Sequence, residues 1–98
     1  MRPASMERKI RELHERVRVA REHLGVLDEQ VEALAEEAED ARVRGLVAET
    51  PLAGREAAEA RRHLDLAERA AAGLREEIRQ CEAERDQLLR DLPVATRR

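Results

Sequence analysis

Gly45-Leu46-Val47-Ala48-Glu49-Thr50-Pro51-Leu52-Ala53-Gly54 separates two stretches of the chain that carry the same pattern. Thr50 offers a side-chain oxygen to cap a helix N-terminus, and Pro51 suits a first helical turn, where its missing N–H costs nothing. One helix therefore starts at Pro51, and whatever precedes it must end within a few residues. If both flanks are helical, this stretch is the bend of a hairpin.

Both flanks are helical by period. On the N-terminal side Met6, Ile10, Leu13, Val17, Ala20, Leu24, Leu27, Val31, Leu34, Ala38 and Ala41 alternate four and three apart without a break, which is a heptad seam of a and d positions. On the C-terminal side Ala57, Ala60, Leu64, Ala67, Ala71, Leu74, Ile78, Cys81, Arg85, Leu88 and Leu92 keep the same alternation, and only Arg85 is out of character. Its stem can cover the seam while the guanidinium reaches out to Glu82 or Glu84. The expected class is all-α, a two-helix antiparallel coiled-coil hairpin that pairs with a second copy as a four-helix bundle. Residues 1–4 and 93–98 are expected to be flexible, with helix one at about 5–47, capped by Ser5, a turn at 48–50, and helix two at about 51–92, stopped by Pro93. Each helix would run ~60 Å at about 1.5 Å per residue.

Composition agrees with a narrow seam rather than a globular core. The 98 residues are 42% apolar without one Phe, Tyr or Trp, and 42% charged. Globular domains of this size usually bury aromatics as their largest core pieces, and disordered chains are depleted in apolar residues that recur so regularly.

Helices joined by so short a link must run antiparallel. Pairing residues whose numbers add to 98 opposes Leu34 with Leu64, Leu27 with Ala71, Ala20 with Ile78 and Ile10 with Leu88. It also sets Lys9 by Asp91, Arg16 by Glu84, His23 by Glu77 and Arg44 by Glu56, but brings Arg21 against Arg75 and Asp28 against Glu68. A register shifted by one heptad, adding to 105, repairs the last two at the expense of a longer turn. Near the bend the seam is rich in alanine (Ala38, Ala41, Ala57, Ala60, Ala67, Ala71), which buries little area per layer and predicts a thinner, less stable half.

Two surfaces stand out as partner sites. At the tip, Leu46, Val47 and Leu52 are apolar where no core receives them, with Glu49, Arg44 and Arg55 beside them. They form a docking knob unless Leu46 or Val47 simply folds over Leu52 and Ala53 to close the end. Along helix one, Val19, Val26 and Ala33 make a second apolar stripe off the seam, with Leu66 and Leu89 facing outward from helix two, and this stripe suits self-association. The protein is therefore expected to be a non-enzymatic interaction or scaffold module with a protein partner, and to be a homo-oligomer.

Charge is segregated: Asp28, Glu29, Glu32, Glu36, Glu37, Glu39 and Asp40 are followed by Arg42, Arg44, Arg55, Arg61 and Arg62 around the bend. A net charge of −3 and the lack of aromatic residues among these arginines argue against nucleic acid as a direct ligand. His14, His23 and His63 have no metal-ligand spacing, Cys81 has no intrachain partner, and no catalytic set or cofactor motif can be assembled. No apolar run approaches the ~20 residues of a membrane span, and no apolar leader opens the chain, so a cytoplasmic location is expected.

The stretch Ala41-Arg42-Val43-Arg44-Gly45-Leu46-Val47-Ala48-Glu49-Thr50 resembles the tip of the Gre-type transcription elongation factors. That resemblance implies, as an alternative role, a hairpin that enters the secondary channel of RNA polymerase and presents acidic tip residues. Only Glu49 matches the family's acidic positions. Leu46 stands where the family has an acid after the glycine, so binding would be retained without cleavage chemistry.

Overall fold

The computed structural model describes residues 2–93 and contains two helices, α1 (Pro3–Ala48) and α2 (Pro51–Asp91), packed against each other as a helical hairpin. Two compact units make it up: a terminal unit of Met1–His23 with Leu74–Arg98, and a bend unit of Leu24–Gly73.

Helix boundaries follow local chemistry. The Thr50 hydroxyl accepts the Ala53 N–H at 3.1 Å, the expected N-cap of α2, and Pro51 occupies the first helical position. The N-terminal expectation needs correction: α1 starts at Pro3, so Ser5 lies inside the helix rather than capping it. Pro3 plays the part that Pro51 plays in α2, its fixed φ preset for the first turn, while the Met6 N–H donates to the Arg2 carbonyl at 3.0 Å. Pro3 and Ala4, expected in a flexible segment, are thus helical, and Met1 lies outside the described residues. At the other end the Leu92 N–H still reaches the Leu88 carbonyl at 3.0 Å before Pro93 ends the pattern. The rest of the expected tail, 94–98, lies outside the described residues.

In the terminal unit the seam is well covered. Met6, Leu13, Val17, Ala20, Ile78, Cys81 and Leu92 are buried, and Leu13 is wholly so at 0% exposure. Ile10 is half-buried. Arg85 behaves as its position requires, its guanidinium turned outward to Asp86 at 3.1 Å and Glu82 at 3.6 Å.

Pairing across this unit differs from the expected scheme in detail. Arg16 meets Glu77 at 3.5 Å rather than Glu84, and Arg21 meets Glu82 at 2.9 Å. The numbers of these pairs add to 93 and 103, one on each side of 98, because a long arginine can choose between carboxylates one heptad apart. Each such exposed bridge contributes only ~0.2–1 kcal/mol.

Register is fixed more firmly in the bend unit. A Cβ on Gly45 would sit 3.5 Å from the Ala53 carbonyl oxygen and 3.8 Å from the Ala57 Cβ, so these backbones lie close together. Gly45 and Ala53 belong to the register adding to 98, whereas the shifted one would set Ala60 over Gly45. Ala41, Ala60, Leu64 and Ala71 are buried here, but Leu27, Val31, Leu34 and Ala38 of α1 are only half-buried. The cause is across the seam: Leu27 and Val31 face Ala71 and Ala67, whose single methyl groups are too short to cover them. Leu27, expected as a full core residue, is therefore part surface.

Truncating Leu13 to Ala should cost about 2–5 kcal/mol, as for a fully buried leucine. Val47→Ala, at an 80%-exposed position, should stay within about 0.5 kcal/mol. Paired urea unfolding curves followed by circular dichroism check both, and equal losses would contradict the seam.

Candidate interaction surface

The tip is built by the way α1 stops. With two residues between the helices, the chain must turn sharply at once, and Glu49 does so in the left-handed region at φ 53°. Its N–H donates to the Gly45 carbonyl at 3.2 Å, tying off one of the last carbonyls of α1. Glycine normally fills this position, since a side chain there costs about 1–2 kcal/mol. A glutamate in that conformation is local strain held by the helices on either side.

Around this apex the apolar side chains stay in solvent. Leu46 is 64% exposed, Val47 80% and Leu52 57%, so neither Leu46 nor Val47 folds over Leu52 to close the end. The reason is geometric: Gly45 and Ala53 already close the last seam layer, and Leu46, Val47 and Leu52 fall on positions pointing away from it. Val43 is also exposed and extends the patch, because 43, 46 and 47 share one face of α1. Sequence reading passed over Val43, although its three- and four-residue spacing to Leu46 and Val47 was there to be seen.

The basic residues flanking the tip are not all alike. Arg42 is held by Glu39 through paired hydrogen bonds at 2.9 and 2.6 Å. Those bonds keep the Glu39 carboxyl below the usual carboxylate range and push the Arg42 guanidinium up. Arg18 with Glu15 and Arg79 with Glu76 repeat this local device on the terminal unit. Arg44 lines an open groove of 280 Å³ with Ala41, Glu56, Ala60 and His63, without the ion pair to Glu56 that the g positions suggested. Arg55 is exposed beside the tip.

The second candidate surface divides between the units. In the bend unit Val26 and Leu66 are 58% and 63% exposed, and Ala33 is exposed as well. Val19, in the terminal unit, is half-buried instead and lines an open groove of 310 Å³ with Ala20, His23, Leu74 and Glu77. Val19 therefore belongs partly to the seam's own margin. Leu89 is exposed on α2.

Cys81 is a free buried thiol within the seam. His63 lies 3.8 Å from Glu59 one turn away on the exposed surface of α2. Among the described residues no group of three or more His, Cys, Asp or Glu side chains is arranged to hold a metal ion, and no helix is long and apolar enough to cross a membrane. No known family, curated protein or solved structure matches this chain.

Replacing Glu49 by Gly should relieve the left-handed strain and raise stability by up to about 1 kcal/mol, part of the gain being offset by the freer unfolded chain. Glu49→Val should do the reverse, a β-branched residue being the poorest fit to positive φ. Thermal midpoints of the two variants against the parent test this pair of signs.

Proposed function

We propose that this protein is a non-enzymatic helical-hairpin interaction module that presents its tip to a protein partner in the cytoplasm. The observation that carries the reading is the exposure of Leu46, Val47 and Leu52 around an apex held in a strained backbone conformation. Apolar side chains displayed together on a rigid element are a common form of binding site, and backbone strain tends to gather at such places. Arg44 and Arg55 at the margin of the patch suit a partner groove that is apolar at its centre and acidic at its rim.

The test is a comparative capture from the native cytoplasm. Wild-type protein and a Leu46→Glu, Val47→Glu, Leu52→Glu variant are used as baits, with equal helicity confirmed by circular dichroism. A stoichiometric partner retained by the wild type and lost from the variant is the expected result. A partner set that is the same for both baits would exclude the tip as the docking site.

A further inference from the structure

Nothing but the link decides which copy of α2 the helix α1 packs on. The seam of α1 fits the α2 of its own chain and the α2 of a second chain equally, because the two are the same sequence. Exchange of one helix between two copies is therefore the rival of the hairpin, and short connections under strain favour it. This link is short and strained: it has two residues, and the first of them, Glu49, is held at φ 53°. No apolar contact pins it down, since Leu46, Val47 and Leu52 around the apex are all exposed. If the chain ran on as one helix through Glu49 and Thr50, the left-handed residue would relax.

We infer that Pro51 is the residue that keeps the chain folded on itself. At the first position of α2 its missing N–H costs nothing and its φ is already helical. In a helix running straight through the link, the same residue would stand in the interior. There it would leave the Val47 carbonyl without its N–H donor, press its ring on that carbonyl, and push Thr50 out of the helical region.

A proline in a helix interior is disfavoured against alanine by roughly a hundredfold, and an exchanged pair contains two of them, so the bar is roughly ten-thousandfold. Glu49 adds a smaller bar, because the register adding to 98 would set the Glu49 carboxylates of the two copies side by side at the centre of the exchanged pair. The apex exists only in the closed form, so the display of Leu46, Val47 and Leu52 depends on this proline. Pro51 has this role whether or not a partner docks at the tip.

A Cβ on Gly45 lies 3.8 Å from the Ala57 Cβ, the spacing of a disulfide, which lets the partner of α1 be read as a mass. In a chain carrying Gly45→Cys and Ala57→Cys, with Cys81→Ala to remove the native thiol, the bond forms within one chain in the hairpin and between two chains after exchange. Each protein is unfolded in urea under reducing conditions and refolded at roughly millimolar concentration, where a second copy competes with the tethered helix. It is then oxidised and resolved by denaturing, non-reducing electrophoresis. With Pro51 in place the product should migrate at 11.2 kDa. Pro51→Ala should move the balance roughly tenfold or more toward a linked pair of twice that mass. Inserting two glycines between Glu49 and Thr50 of the Pro51→Ala chain should return it to the single-chain mass, because a longer link closes without strain. Linked pairs formed with Pro51 in place overturn the inference whatever the variants do, and so does a Pro51→Ala chain, helical by circular dichroism, whose disulfide stays within one chain.

Discussion

Only Glu49 and Thr50 separate a helix of 46 residues from one of 41. So short a link leaves the backbone no freedom to choose where the second helix lands. Glu49 turns left-handed, Thr50 caps, Pro51 begins the next helix, and Gly45 comes to rest against Ala53. Once that first layer is set, the heptad spacing sets the layers that follow in the bend unit, so the turn is the register. The strain at Glu49 is sustained because the helices on both sides would lose their packing if the turn relaxed.

What the register then opposes decides how much is buried. In the terminal unit large residues such as Leu13 and Ile78 occupy the seam on both helices, and most of the seam is buried. In the bend unit the large residues lie mostly on α1 and the alanines on α2, so the leucines of α1 remain part surface. The hydrophobic stabilisation scales with area removed from water, about 25 cal/mol per Å², and an alanine layer supplies little of it. The same asymmetry leaves apolar area at the flank of the hairpin.

Much of this was legible in the residues. The three-and-four spacing gave both helices, the Thr-Pro pair gave the bend, and Arg85 gave the one charge that must turn out of the seam. Other features were not legible, for identifiable reasons. Ser5 looked like a cap because capping residues are read by type, but a proline two residues earlier is an equally good start and wins by extending the helix. The choice between Glu77 and Glu84 for Arg16 could not be read from heptad letters, since the side chain spans both. Glu49 carried no sign of positive φ in its own identity. That sign lay in the length of the link, which leaves room for no other kind of turn. At the tip, spacing identified Leu46, Val47 and Leu52 but not whether they close over one another, which depends on Gly45 and Ala53 having already filled the last layer.

Cys81 adds a consequence of a different kind. It is the chain's single thiol, and it sits inside the buried part of the seam at the layer that the register assigns to Val17. A reagent in solution reaches that sulfur only when α1 and α2 come apart there. Its rate of alkylation is therefore a native clock for the breathing of the terminal unit, running in the unmodified protein without any introduced probe.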